Sequence, residues 1–470
     1  MQTKTNKHNS LYIMKHLFLF MLLLLGLTLN SYAQQTAPPP AAGHNFSLQD
    51  CINYAYEHQD SVVNAGLDVK SAEYKIRETK ATGLPQINGS ATFQDYLRPP
   101  TSVGPDFSKG FGAPTDPNAP LVPFPIGAVK YNNTYSLQGT QLLFSGTFLV
   151  GLQAAKTYKE LSQRSLVRSR IQTNVNVTKA YYQVLVSNEQ IKLLDANIAQ
   201  LKQQFDQTTQ QNKQGFVEKI DVDRLAVQYN NLTTNRENVV RSLVLNYQLL
   251  KFQMGMPIQQ EINLTDKLED VHLEPQVNDA NLDTTFYRKR VEYNLLETNV
   301  KPNQLDVKSK KAAYLPTLSA NGAFAAVYQE NHTKYLYNHP YPYNYVGLSL
   351  NVPIFSGGQR LNQLKQSQVN VLKAQNDLAN VKNALSLEAS SAYISFNNSL
   401  QSLNSQKRSR ELAAEVLRVS KIKYQQGVGS SIEVTQAQTD FENADNQYIQ
   451  ALYNALISKV DLDKAYGKIQ

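Results

Sequence analysis

The chain has 470 residues, a formal charge of +8, seven histidines and one cysteine, Cys51. A single cysteine excludes an internal disulfide, and so mild a basic excess over this length does not point to nucleic acid. The histidines are scattered, and no His-Glu-x-x-His, Gly-x-Ser-x-Gly or phosphate-loop motif occurs, so the sequence offers no catalytic centre, metal site or cofactor site.

The first element is a targeting segment. Lys4, Lys7 and Lys15 precede an apolar run of 13 residues from Leu17 to Leu29. Ser31-Tyr32-Ala33 then places small residues where a signal peptidase reads them. The run is too short to span a bilayer as a helix, so residues 1–33 are expected to be a cleaved signal peptide, with Met14 as an alternative start. No later run approaches about 20 apolar residues, which leaves an exported chain that is either soluble outside the cytoplasm or a β-barrel. Cys51 reads as a small buried apolar residue.

A helix is expected near 47–82, with Ser47 and Asp50 as its cap. Leu84-Pro85 ends it, because the residue before proline is pushed to extended backbone. Two alternating segments follow, 86–96 and 133–144. Ile87, Gly89, Ala91 and Phe93 alternate with Asn88, Ser90, Thr92 and Gln94; Tyr135, Leu137 and Gly139 alternate with Ser136, Gln138 and Thr140. Each is about as long as a tilted membrane strand, although a half-buried soluble sheet would alternate likewise. Between them, 97–130 holds eight prolines and four glycines, which bars a helix or a central strand and marks an external loop. Phe144 ends the second strand before Gly146 as an architectural aromatic.

Residues 152–214 then contain neither glycine nor proline, enough for a helix of roughly 95 Å. Gly215 marks its tip. The returning helix carries Val222, Leu225, Tyr229, Leu232, Arg236, Val239, Leu243, Asn246 and Leu250 at alternating spacings of three and four, a coiled-coil register. Residues 256–283 are a linker.

From 284 the plan repeats. A helix near 284–313, broken or kinked at Pro302, ends at Leu315-Pro316. Strands are expected at 317–328 and 344–355. Leu318, Ala320, Gly322 and Phe324 oppose Ser319 and Asn321; Val346, Leu348, Leu350 and Val352 oppose Gly347, Ser349 and Asn351. The loop 329–342 and its surroundings carry Tyr335, Tyr337, Tyr341, Tyr343 and Tyr345, read as loop lining, and the surface histidines His332 and His339. Pro353, Phe355, Gly357 and Gly358 form the junction into a second glycine- and proline-free run, 359–426. Gly427 is its tip. The return helix keeps the heptad at Val434, Ala437, Phe441, Ala444, Tyr448, Ala451, Ala455, Ser458 and Leu462, each 212 residues beyond its counterpart. Arg236 and Tyr448 depart from an apolar core and are expected to face a looser layer or a neighbouring chain. The domains read as 34–255, a first repeat; 256–283, the linker; and 284–470, a second repeat.

Four strands cannot close a membrane barrel, whose smallest single-chain form has about eight, and an open edge in lipid leaves unpaired backbone groups. Several copies must therefore share one barrel, and the helices continue it as a tube with a wet interior.

Tyr314-Leu315-Pro316-Thr317-Leu318, followed by Val352-Pro353-Ile354-Phe355-Ser356-Gly357-Gly358, resembles the signature of TolC-type outer-membrane efflux proteins. Tyr424-Gln425-Gln426-Gly427 with Ile432-Glu433-Val434, and Ser47-Leu48-Gln49-Asp50, are similar to that family as well, in matching order over 45–467. The resemblance implies an α+β chain contributing four strands to a membrane β-barrel of 12 in a homotrimer. That barrel is continuous with a long antiparallel α-helical coiled-coil barrel and an equatorial girdle formed by 256–283 and the chain ends. It implies a passive exit duct for small molecules such as drugs, located in the outer membrane with a periplasmic helical domain. Its partners would be a periplasmic adaptor (membrane fusion) protein, an inner-membrane pump of RND, ABC or MFS type, and outer-membrane lipid. Asp221 and Tyr424 match positions of the periplasmic gate, and Glu433 an acidic selectivity ring. Gly429 replaces the arginine and Gln436 the second acid that the resemblance implies, so closure is expected to rest on hydrogen bonds and packing. Two other readings stay open: the outer-membrane channel of a type I protein secretion system, and a soluble periplasmic coiled-coil adaptor, which leaves the strands unexplained.

Overall fold

A computed structural model describes residues 44–98, 102–104, 122–124, 129–268, 273 and 285–469. The expected signal peptide, most of 97–130 and most of 269–283 lie outside the described residues. The chain divides into a small unit, 1–45 with 261–263, and a large unit made of the rest. The small unit carries most of a two-stranded sheet, in which β1 (His44–Phe46) pairs with a strand at Ile262–Leu264.

In chain order the elements of the large unit are α1 (Leu48–His58), α2 (Asp60–Ala81), β2 (Gln86–Asp95), β3 (Ser102–Gly104), β4 (Val122–Phe124), β5 (Tyr131–Phe144), α3 (Gly146–Lys213) and α4 (Lys219–Met254). After β6 (Ile262–Leu264) come α5 (Val291–Ala312), β7 (Thr317–Glu330), β8 (Pro340–Asn351), α6 (Gln359–Gln425) and α7 (Ser431–Ala465). The linker is thus represented here by β6, and β3 and β4 pair with each other inside the proline-rich loop.

The expected first helix is two. Gln59 takes extended backbone (φ −72°, ψ 123°) and its side chain caps α2 by accepting from the Ser61 N–H. The capping box at Ser47 and Asp50 is formed, with each accepting from the other's N–H at 3.2 and 3.0 Å. Cys51 is fully buried. Pro302 does not end its helix: α5 runs through it. An interior proline costs about 3 kcal/mol, and α5 lies against both α3 and α6 with Val291, Thr298 and Val300 buried. That packing outweighs the lost hydrogen bond.

The largest shift in boundaries concerns β8, which occupies 340–351 rather than 344–355. Pro353 has no N–H to give a ladder, so Val352 to Phe355 lie outside the strand and Phe355 ends no strand. Pro340 and Pro342 are accepted because β8 is an edge strand. Tyr341, Tyr343 and Tyr345 therefore belong to the sheet, and the loop shrinks to 331–339 with a single 3₁₀ turn.

β2, β5, β7 and β8 form one antiparallel sheet in that order. All four strands meet their helices at the same end of the sheet: α2 precedes β2, α3 follows β5, α5 precedes β7 and α6 follows β8. The helices pack in the same sequence, α2 on α3, α3 on α5 and α5 on α6, while α4 and α7 fold back on α3 and α6. At 68 and 67 residues, α3 and α6 each run about 100 Å.

The core is a chain of small clusters along these hairpins. Leu194, Leu201, Leu225 and Leu232 are buried together, with Ile198, Phe205, Tyr229 and Val239 against them. Val186, Leu403, Ile449, Leu452, Ala455 and Leu456 form another. The expected heptad positions are all buried or half-buried. The two exceptions find partners within the chain: Arg236 pairs with Asp195 of α3, and Tyr448 lies under the Arg410 guanidinium at 5.1 Å.

Candidate functional site

Two regions carry the expected function: the sheet and the far end of the helical hairpins. In the sheet, register decides which side each residue faces, since directly paired residues point the same way. Ile87 pairs with Gly139 and Gly89 with Leu137. Leu137 pairs with Phe324 and Gly139 with Gly322. Gly322 pairs with Val346, Ala320 with Leu348 and Leu318 with Leu350. All four apolar sets therefore share one face. Asn88, Ser90, Gln138, Thr140, Ser319, Asn321, Gly347 and Ser349 share the other, where the Ser90 and Ser136 hydroxyls bond at 2.7 Å. Tyr341, Tyr343 and Tyr345 stand on this polar face.

Among the described residues nothing covers the apolar face: Val346 is 92% and Leu348 72% exposed. Aromatics gather at its end remote from the helices. Phe93 stacks on Tyr131 at 6.3 Å, and Tyr135 meets Tyr328 edge-on at 6.1 Å. Phe144, half-exposed, stands at the helix end. Among the described residues the edges β2 and β8 have no partner strand on their outer sides.

The junctions are tight. Pro85 and Pro316 follow helix ends and precede β2 and β7. Gly146 opens α3, where a Cβ would lie 2.9 Å from the Leu315 side chain. Gly357 and Gly358 turn the chain into α6 with φ of +58° and +81°.

At the far end, Gly215 (φ +80°) and Gly427 (φ +75°) form the two turns, a backbone region that side chains with a Cβ rarely enter. The structure brings Asp221 and Tyr424 to one small cleft, shared with Gln204, Leu225, Ser431 and Val434. Asp221 Oδ1 accepts from the Ser431 hydroxyl. Arg224 Nη1 reaches Asp221 Oδ1 at 3.5 Å and Ser431 Oγ at 3.3 Å. Gln228 Nε2 donates to the Thr435 carbonyl at 3.3 Å. These bonds tie α4 to α7. Burial, and then the charge of Asp221, push the Tyr424 phenol up. A guanidinium thus stands beside Asp221 after all, from Arg224 one helical turn away. Gly429 could not easily supply one: a Cβ there would lie 3.0 Å from the Lys423 Cβ and 3.1 Å from the Tyr424 nitrogen. Glu433 lies outside this cleft, exposed on the first turn of α7, where its N–H donates to Ser430 Oγ at 3.2 Å.

Sequence reasoning passed over a buried polar layer further up. Asp445 is held by Arg410 of α6 and by Asn197 Nδ2 of α3 at 2.9 Å. Below it, Lys421 Nζ donates to Gln438 Oε1 at 3.4 Å and Gln438 Nε2 to Glu442 Oε1 at 2.9 Å. Burial holds the Lys421 ammonium down at about 8 and pushes the Glu442 carboxyl up. Arg224 beside Asp221 was missed as well, although an acid and a base three apart on one helix would have signalled the pair; the Asp445 layer depends on residues remote in sequence.

The family described as "Outer membrane efflux protein" matches residues 51–252 and 296–468. The outer membrane protein TolC of Escherichia coli (strain K12) is 24% identical over 462 residues, covering 95% of this chain and 86% of that protein. The proteases secretion protein PrtF of Dickeya chrysanthemi is 22% identical over 321 residues, 68% of this chain and 67% of that protein. The crystal structure of the Neisseria gonorrhoeae MtrE outer membrane channel in its open state matches the fold with a TM-score of 0.69 at 15% identity, covering 89% of this chain and 88% of that one.

Proposed function

The chain belongs to the outer membrane efflux protein family, and from that premise we propose that three copies close their four-stranded sheets into one barrel of twelve strands. The protein is an outer-membrane channel of the efflux and secretion type, with its helical part in the periplasm. One observation carries the trimer: a sheet with every apolar set on one uncovered face and both edges open. In lipid such edges must be paired, and four strands fall short of closure. Strands of 10 to 14 residues meet the 9–11 or so that a tilted membrane strand needs. The aromatic cluster at one end of the apolar face fits an interfacial girdle.

Since each strand leads into one helix in the same order, closing the sheet arranges the helices as a tube. The edge helices support this, with Val63 and Leu67 of α2 and Leu361, Val369 and Leu372 of α6 exposed for a neighbouring copy. The two halves, 34–255 and 284–470 around the linker 256–283, act as repeats of one plan. Asp221 and Tyr424 hold the tip shut through the ties between α4 and α7, and Glu433 forms a threefold acidic ring near it, which favours cations by focusing the field. The duct is passive: a pump in the inner membrane and a periplasmic adaptor drive and dock it, and small molecules such as drugs pass through. The likeness to a protease secretion protein favours protein export as the second reading.

Planar-bilayer recording of the purified trimer tests the gate. Asp221→Ala with Tyr424→Phe should raise conductance at unchanged trimer yield, and Glu433→Gln should lower cation selectivity. If neither moves, the tip assignment is wrong. Restoration of drug efflux, as against protease export, in a host lacking its own channel separates the two cargo readings.

A further inference from the structure

The charge of this chain is concentrated in one place. The four helix segments nearest the sheet are 70–82, 146–158, 301–313 and 359–371, and together they hold eleven lysines and arginines against three acids. The remaining thirty-five basic residues, three of them in the expected signal peptide, stand against thirty-five acidic ones, so these short segments carry the basic excess of the chain.

Their position is fixed by topology. All four strands join their helices at one end of the sheet. Lys80 and Lys311 stand one residue from the ends of α2 and α5, Lys308 lies a turn further in, and Arg360 and Lys365 lie in the first two turns of α6. Lys80, Lys308, Lys311 and Lys365 are exposed, and none of the four makes an ion pair among the described residues. Arg360 lies over the ring of Tyr314 at 5.9 Å, beside the exposed Leu315. The acids nearby are few: Glu78 is taken by Lys75 at 2.8 Å, and Asp306 lies 3.9 Å from Lys310. This basic belt is continuous with the apolar face of the sheet, which ends where the belt begins.

We propose that this belt binds the anionic headgroups of phospholipids in the periplasmic leaflet of the outer membrane. The proposal rests on the reading of the sheet as a membrane barrel. The apolar face then fixes the hydrocarbon layer, and the helices leave on the periplasmic side. A headgroup layer of roughly 5–7 Å lies just beyond the hydrocarbon, which is about one helical turn. Lys80, Lys311 and Arg360 fall in that turn and Lys308 and Lys365 in the next, and lysine stems let the ammonium groups reach back to phosphates while their methylenes lie along apolar surface. Lipid phosphate is the partner because it alone is contiguous with the apolar face; a soluble anion would have no reason to gather against it. Repeated in each copy, the belt fixes the depth of the barrel and opposes sliding along the membrane normal.

The experiment reconstitutes the full protein in vesicles of phosphatidylcholine alone, and of phosphatidylcholine with about 30 mol % phosphatidylglycerol. The readout is the temperature at which trimers dissociate. Wild type should dissociate several degrees higher with phosphatidylglycerol, and about 0.5 M salt should remove the difference by screening. The variant Lys80→Gln, Lys308→Gln, Lys311→Gln, Lys365→Gln should lose the difference. A charge-matched variant, Lys202→Gln, Lys213→Gln, Lys219→Gln, Lys407→Gln, should keep it. A lipid effect that survives the first variant, or is lost equally in the second, overturns the proposal. So does a first variant that changes only ion selectivity, since its lysines would then face the lumen. If wild type enters neither vesicle, the barrel reading fails and the belt with it. If it enters both and melts identically, the barrel stands and the lipid contact alone is lost.

Discussion

The sheet and the helical hairpins solve opposite problems. The hairpins bury their own core: Leu201 is 1% exposed, and the carboxylates of Asp445 and Asp221 find their hydrogen-bond partners within one chain. The sheet leaves its edge strands exposed and its inner strands mostly half-buried, with apolar side chains on an open face and, among the described residues, backbone on two open edges. On the proposed reading one region is complete in a single copy, and the other only among copies and lipid. Sheet substitutions should therefore act on assembly, and hairpin substitutions on stability or gating within an assembled trimer.

The largest effect is expected from Leu348→Arg on the apolar face. A charge on the lipid face costs each copy up to roughly 2–4 kcal/mol, the more the nearer it lies to the midplane, and with the proposed three copies in one barrel, membrane-integrated trimer should be lost on a heat-modifiability gel. Ser349→Arg, one residue on but on the polar face, should assemble normally. Equal loss in both would dissolve the distinction between the faces.

In the hairpins, Arg410→Ala should come next. It leaves the buried Asp445 carboxylate with Asn197 alone, and breaking one side of a buried pair costs about 3–5 kcal/mol. Leu201→Ala should cost about 2–5 kcal/mol through its cavity. Both should lower the denaturant midpoint for loss of helical signal while trimers still form; trimer loss instead would mean that the hairpins are not self-sufficient.

Ser431→Ala removes one tie at the tip, worth roughly 0.5–1.5 kcal/mol per copy. It should raise conductance without moving the denaturant midpoint. The remaining effect is one of pH. Burial holds Lys421 at about 8, below its ordinary 10.5. Between those values the unfolded chain binds a proton that the folded chain does not, so stability rises with pH across that window. Lys421→Met should flatten the rise, and an unchanged slope would remove Lys421 as its source.

Much of the sheet was legible in the sequence because period-two alternation survives wherever one face must be apolar, as at Ile87 to Phe93 and Val346 to Leu350. The bounds of β8 were not, because Pro340 and Pro342 read as loop until the strand is known to lie at an edge. The helices were legible in length from runs free of glycine and proline, yet no break occurs at Pro302, since its cost is local and the packing that outweighs it is not. At the tip, Asp221 and Tyr424 were singled out and lie in one cleft, while Arg224 and Ser431 were not singled out: Ser431 lies 210 residues from Asp221. Asp445 likewise takes its partners from 35 and 248 residues away, a pattern that heptad spacing does not encode.

The central claim is that β8 of one copy pairs with β2 of the next until three copies close. Cys51, the sole cysteine, is fully buried, so introduced cysteines report without background. Ser90→Cys on β2, combined in turn with Gly347→Cys, Ser349→Cys or Asn351→Cys on β8, should give for the matching register a covalent ladder on a non-reducing gel that ends at three. A product that stays monomeric in the membrane for all three pairs, or a ladder that continues past three, would contradict the account.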